Sequence, residues 1–215
     1  HDTGFRVGYL RAVSHTMNAF ANESFIDELA HAAGKDPVQY RLDLLENEPR
    51  FANVLKLAAE KAGYGRKLPK GRALGVALME GYGTYMAQVA EVSVAGGDVK
   101  VHKVTVACDC GRMVNPEIVR QQLESGIIYG LSGALYGNIT VKDGVVQQGN
   151  FNDFRVIRQN ESPVIDVHLV QSTEKPGGVG EPSTSVIAPA VANAIFNATG
   201  KRVRSMPLVE GLKSA

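Results

Sequence analysis

Cysteine is nearly absent from this 215-residue chain, with Cys108 and Cys110 the only two. Two cysteines cannot build the disulfide framework of a small secreted domain. In a strand their side chains would share one face about 7 Å apart along the chain, too far for easy bridging, so free thiols are expected. A surplus of one charge is also missing: 23 basic side chains stand against 22 acidic ones, which argues against nucleic acid as a partner. No apolar run approaches the roughly 18 residues of a membrane span, and no basic amphipathic stretch suits attachment to a membrane surface. The five histidines form no cluster, and neither Cys-x-x-Cys nor His-x-x-x-His spacing occurs, so no zinc-type site is expected. What remains is an ordinary globular composition, 44% hydrophobic and 21% charged, enough for one compact unit or two small ones sharing an interface. The first residue is His1, and no leader-like apolar stretch follows it. The chain is therefore expected to be processed or to be a piece of a longer polypeptide.

Periodicity orders the rest. Over residues 16–33, Ile26, Leu29, Ala30 and Ala33 recur at helical spacing, which turns Glu23, Asp27, Glu28 and His31 away from the apolar face. Asp36-Pro37 starts a second helix to about residue 45, and a third covers about 51–62, stopped by Gly63. Pro69 and Gly71 mark a boundary between a helical part, residues 1–66, and a sheet-and-helix part, residues 67–215. Beyond it lie Val-rich strands at 74–78, 87–94 and 99–107, the last two forming a hairpin about Gly96-Gly97-Asp98. Asn115-Pro116 opens a long helix over about 117–136. Its Gly126, Gly130 and Gly133 would each cost an exposed helix around 1 kcal/mol, which predicts close backbone packing. A small hairpin turns at Asp143-Gly144, a strand occupies 164–170, and an apolar helix runs over about 189–199 to Gly200. That last helical stretch, from Val186 to Phe196, has hardly a polar side, which predicts burial all round, part of it by sequence outside this chain. The expected class is α+β, an N-terminal helical part packed on a mixed or antiparallel sheet with long helices.

Three stretches could carry chemistry. Gly177-Gly178-Val179-Gly180 lets a backbone approach a ligand closely, just before a helix start that favours anions. It is neither a phosphate-binding Walker loop nor a dinucleotide fingerprint. Glu181, fixed by Pro182, has two readings from these residues: a general base on a rigid turn, or a solvated loop acid. Gln122 stands two helical turns after Asn115-Pro116, beside Gly126, where it either bonds a heterocycle or is satisfied by backbone in a packed core. Arg11 is placed to hold a substrate or anion, or to make an ordinary salt bridge.

Taken in order, these pieces resemble the molybdenum hydroxylases, the xanthine dehydrogenase and aldehyde oxidase family, in the C-terminal part of the molybdopterin-binding large subunit. The likeness spans nearly the whole chain. It rests on Gly178-Val179-Gly180-Glu181-Pro182 before an Ala/Ile-rich helix, on Asp109-x-Gly111-x-x-x-Asn115-Pro116 followed by Gln122-x-Glu124 and Gly130, and on Arg11 with Glu23. Gly83-Thr84-Tyr85-x-Ala87-Gln88-Val89-Ala90-Glu91 and Ile187-Ala188-Pro189-Ala190-Val191-Ala192-Asn193 most resemble the isoquinoline oxidoreductase beta subunit branch.

The resemblance implies an oxidoreductase that hydroxylates an aldehyde or N-heterocycle with water as oxygen source and Glu181 as general base. It implies Gln122, Gly178, Val179 and Gly180 on the cofactor side, and Arg11, Glu80 and Tyr82 on the substrate side. The implied cofactor is molybdenum-molybdopterin, with a cytosine dinucleotide form as one variant, the metal being held through the pterin and by no protein ligand. The family's glycine-rich segments that hold much of this cofactor precede the region, so this chain alone is expected to bind none. No iron–sulfur cysteine pattern and no flavin or nicotinamide fingerprint occurs, so electrons must leave elsewhere. The implied partners are the remainder of the large subunit, an iron–sulfur small subunit and a small-molecule substrate, in a bacterial cytoplasm or periplasm. Two departures bear on the pocket: Ser125 stands where many members have glycine, and Ala12-Val13-Ser14 replaces Ala-Pro-Gly after the arginine. A second reading is a non-catalytic structural or interaction module that keeps the fold. The intact Gly180-Glu181-Pro182 favours the enzyme.

Overall fold

The computed structural model describes Gly4 and residues 8–215. Three helices come first, α1 (Ser14–Ala32), α2 (Pro37–Leu44) and α3 (Pro49–Ala62), then three strands, β1 (Arg72–Gly81), β2 (Thr84–Ala95) and β3 (Asp98–Asp109). The long helix α4 (Pro116–Tyr136) is followed by a two-residue-per-strand hairpin, β4 (Val141–Lys142) and β5 (Val145–Val146). Then come strand β6 (Val164–Leu169) and helices α5 (Pro182–Thr199) and α6 (Leu208–Ser214). The main sheet has the order β1-β2-β3-β6; the first three strands are antiparallel and β6 runs parallel to β3. The class is α+β with a mixed sheet. Among the described residues no helix is long and apolar enough to cross a membrane.

Local chemistry sets most element ends. Asp36 caps α2 by accepting from the amides of Val38 and Gln39, and Asn115 does the same for α4 through Glu117 and Ile118. Gly63 and Gly200 end α3 and α5 with left-handed φ of 63° and 75°.

Both faces of the sheet are covered. Val76, Leu78, Ala87, Val89 and Ala107 face α3 through Val54, Leu55 and Ala58. Their strand neighbours Ala77, Met79, Met86, Ala90, Val104 and Val106 point the other way, toward α4 and α5. This two-sided burial explains why β1 and β2 read as continuous apolar runs rather than alternations. Helix α5 lies so close to β1 that a Cβ on Gly75 would fall 2.1 Å from the Ala194 nitrogen. Against α4, a Cβ on Gly126 would meet the Ser183 hydroxyl and one on Gly130 the Thr184 carbonyl, whereas Gly133 has open space beside it. Close packing thus accounts for two of the three glycines of α4.

Three expectations are corrected. The buried stripe of α1 is Ala19, Glu23, Asp27 and Ala30, while Leu29 and Phe25 are exposed. The carboxylates turn inward because buried partners answer them. Arg41 Nε and the Leu78 amide donate to Glu23 Oε2 at 2.9 and 3.0 Å, and Arg202 Nη1 lies 2.6 Å from Asp27 Oδ2. Helix α5 starts at Pro182, seven residues before the expected start, and runs through Pro189. Its burial is supplied by this chain's own α1, α4, β1 and β2, so no outside sequence is needed to cover it.

Candidate active site

At the end of the sheet, β1 and β2 join through Tyr82-Gly83, both with positive φ (59° and 73°), a turn whose twist suits a tight hairpin. The glycine-rich loop lies on this turn. Gly178 N–H donates to the Tyr82 carbonyl, the Thr84 hydroxyl to the Gly178 carbonyl and Gly177 N–H to the Cys110 carbonyl, each at 2.8 Å. Gly177 must be glycine, because a Cβ would lie 2.5 Å from the Gly83 carbonyl oxygen. Below it, Arg50 grips Asp109 with two bonds of 2.8 and 2.7 Å. That grip holds the Asp109 carboxyl below its ordinary value, and Asp109 in turn accepts from the Gly111 amide. Cys108 and Cys110 are free thiols and both are buried. The loop is therefore bolted to the sheet from two sides before it delivers Glu181.

Glu181 takes the N-cap position of α5 but makes no side-chain capping bond, so its carboxylate is not used up by the helix. A negative charge there is favoured by the helix dipole. Arg11, from the segment before α1, ties this corner together. Its Nε donates to the Gly180 carbonyl at 2.8 Å, Nη1 to Ser125 Oγ at 3.0 Å and Nη2 to Gln122 Oε1 at 3.1 Å. The two residues after it, Ala12 and Val13, have φ of 74° and 49°, a left-handed bend that side chains disfavour. That bend aims Arg11 at α4 and the loop.

Structure thus gathers Arg11, Gln122, Gly178, Val179, Gly180, Glu181 and Tyr82 at one corner. Glu80 is exposed near the end of β1, opposite Tyr85, and no hydrogen bond joins it to the others. Sequence reasoning missed two participants. Ser125 was noted only as a departure from glycine, yet its hydroxyl is an Arg11 acceptor. His15 packs edge-on against Tyr82 with ring centroids 5.1 Å apart, and no signal in the sequence marks that contact.

The donors left over define what could bind. Among the described residues, the amides of Val179, Gly180 and Glu181 and Nε2 of Gln122 have no protein acceptor. Unpaired N–H groups just before a helix start suit anionic oxygen atoms. Among the described residues no cluster of three or more His, Cys, Asp or Glu is placed to hold a metal ion directly. The donor set therefore fits an oxygen-rich organic group such as a pterin phosphate better than a bare cation. Tyr129 is part-exposed beside it, its ring centroid 5.9 Å from the Arg11 guanidinium carbon. A cavity of 740 Å³ lined by Lys100, Tyr136, Arg155 and Lys213 lies at the other end of β3 and contains none of these residues.

The molybdopterin cofactor-binding domain family matches residues 19–163. The chain is similar to a membrane-bound aldehyde dehydrogenase (pyrroloquinoline-quinone) from Gluconacetobacter polyoxogenes, 37% identical over 95% of this chain and 29% of that protein. It is similar also to the isoquinoline 1-oxidoreductase subunit beta of Brevundimonas diminuta, 36% identical over 94% of this chain and 26% of that one. The chain thus spans under a third of the length of these curated relatives. In fold it resembles the aldehyde oxidoreductase of Desulfovibrio desulfuricans ATCC 27774, with a TM-score of 0.74 at 15% identity, over 96% of this chain and 41% of that structure.

Proposed function

This chain belongs to the molybdopterin cofactor-binding domain family, and from that premise we propose that it is the base-bearing part of a molybdenum-dependent oxidoreductase. The reaction is the hydroxylation of an aldehyde or N-heterocycle with water as oxygen source. The names of the two relatives, an aldehyde dehydrogenase and an isoquinoline oxidoreductase, support these two substrate classes. The observation that carries the reading is the convergence on one guanidinium of Gln122, Ser125 and Gly180, 111 to 169 residues from Arg11 in sequence, directly beside an uncapped Glu181.

Molybdenum-molybdopterin, when bound, supplies the two-electron redox chemistry. The chain's own residues do the rest. The amides of residues 179–181 and Nε2 of Gln122 hold anionic oxygens of the cofactor. Mass spectrometry of the nucleotide released on denaturing the assembled enzyme tests for a cytosine dinucleotide extension of that cofactor. Glu181 takes a proton at its carboxylate as the water-derived oxygen becomes nucleophilic, and returns it to solvent. Arg11, Glu80 and Tyr82 border the substrate, with the Arg11 charge drawing electron density from a bound carbonyl or ring nitrogen. The remainder of the large subunit completes the cofactor site, and an iron–sulfur subunit receives the electrons.

The test is Glu181→Gln in the assembled enzyme, which keeps shape and removes basicity. Turnover falls by roughly 10²–10⁴ with molybdenum content unchanged. Near-normal turnover at full metal loading removes Glu181 from the chemistry, and loss of the metal makes it structural.

A further inference from the structure

Arg11 carries a charge that no acid answers among the described residues. Its three hydrogen bonds all run to neutral oxygens, the Gly180 carbonyl, Ser125 Oγ and Gln122 Oε1, whereas Arg41, Arg50 and Arg202 each grip a carboxylate. Nor is the guanidinium free to move. Ser125 and Gln122 stand three residues apart on α4, so their oxygens lie a turn apart on one face and meet the two terminal nitrogens of a planar fork. The main chain is pinned as well, by the Thr16 hydroxyl on the Arg11 carbonyl at 3.1 Å and the Val13 amide on the Leu10 carbonyl at 2.9 Å. Val13 shows what these holds resist: a β-branched residue at φ 49° and ψ −129°, a conformation that persists only where its surroundings over-determine it.

Within this set Ser125 has no other duty. Gly180 lends a main-chain oxygen and Gln122 keeps its amide nitrogen for a ligand, but Ser125 is exposed and, among the described residues, its hydroxyl makes no second hydrogen bond. Two guanidinium N–H groups, one on each terminal nitrogen, stay unused. We propose that Ser125 is the positioning residue of Arg11: a neutral hydroxyl that fixes the guanidinium and leaves its charge and its unused N–H groups to the electron-rich atom of the substrate, a carbonyl oxygen or a ring nitrogen. This rests on the reading that places Arg11 on the substrate side. Aspartate at this position would hold the fork and cancel the charge, and alanine would keep the charge and lose the hold.

Those two substitutions make the test. In the assembled enzyme KM is measured with whichever of benzaldehyde and isoquinoline is oxidised faster. Freedom of the guanidinium is measured by the rate at which butane-2,3-dione modifies Arg11, followed by mass spectrometry of the digested protein. Alanine is a better helix former than serine, so Ser125→Ala leaves α4 intact. Its KM rises about 10-fold with kcat within about twofold and molybdenum content unchanged, the loss matching one hydrogen bond to a charged group, and Arg11 is modified faster by a similar factor. Ser125→Thr restores the hydroxyl and recovers both. Ser125→Asp keeps Arg11 protected from the dione yet raises KM by about 10-fold or more. In an Arg11→Met background Ser125→Ala has no further effect on KM. An unchanged dione rate in Ser125→Ala, a wild-type KM in Ser125→Ala or Ser125→Asp, or additive losses in the double variant each overturn the proposal. If Arg11→Met alone keeps the wild-type KM, the substrate-side reading of Arg11 falls and takes the charge half of the proposal with it, while the dione rates still decide whether Ser125 holds the fork.

Discussion

Replacing Arg41 with methionine tests the inward-facing carboxylates of α1. Arg41 is 2% exposed and makes four contacts: Nε to Glu23 Oε2 at 2.9 Å, Nη2 to the Glu23 carbonyl at 2.9 Å, Nη1 to the Pro37 carbonyl at 3.0 Å, and Nη1 at 3.6 Å from Asp27 Oδ1. Methionine fills much of the volume but leaves Glu23 buried with only the Leu78 amide, and Asp27 with only Arg202. Breaking a buried pair from one side costs about 3–5 kcal/mol, and with a urea slope of about 2 kcal/mol/M the midpoint falls by about 2 M. The pH dependence has a definite sign. Burial raises the Glu23 carboxyl above 4.5, opposed chiefly by Arg41, so the folded state binds this proton more tightly than the unfolded one. Stability from Glu23 is therefore full at pH below the unfolded value and is lost as pH rises through the folded value. Removing Arg41 removes the main opposition and widens that window upward. The deficit of Arg41→Met, measured by urea titration at pH 5, 6.5 and 8, is largest at pH 8 and shrinks toward pH 5. A midpoint loss below about 0.5 M, or a deficit that grows on acidification, would refute the reasoning.

Gly130→Ala puts a methyl 2.5 Å from the Thr184 carbonyl oxygen, so α5 must move where it carries Glu181. Thermal melting registers a loss of about 1–3 kcal/mol, and kcat falls with it, whereas Gly133→Ala, with open space at that position, is close to neutral. Arg11→Lys replaces a planar fork by a single ammonium that cannot serve Gly180, Ser125 and Gln122 together. KM for substrate rises about 10-fold with molybdenum retained, and an unchanged KM would release Arg11 from the substrate side.

Signals that act within one helical turn were readable in the chain. Asp36, Asn115, Gly63 and Gly200 announce helix ends by capping chemistry that needs no distant partner. The face of α1 was not readable, because Glu23 and Asp27 can be buried only with Arg41 and Arg202, the latter 175 residues from Asp27. Pro189 disguised the first half of α5, since a proline ordinarily marks a helix start. In the site, Gln122, Glu181 and Arg11 were legible as motif residues, while their mutual bonds were not. Ser125 stands out in the sequence only through the family resemblance, and the role of its hydroxyl emerges only when the guanidinium is seen against it.

The placement of α5 also dictates an order of assembly during synthesis. The sheet face of Ala77, Met79, Met86 and Ala90 closes only when Ile187, Val191 and Ile195 arrive, about a hundred residues later in the chain. Until then the nascent strands present a wide apolar groove to solvent, in a topology whose distant pairings fold slowly. The same helix brings Glu181 at its leading end. The Glu181 corner and the hydrophobic interior therefore form in one event, on either side of the same helix start.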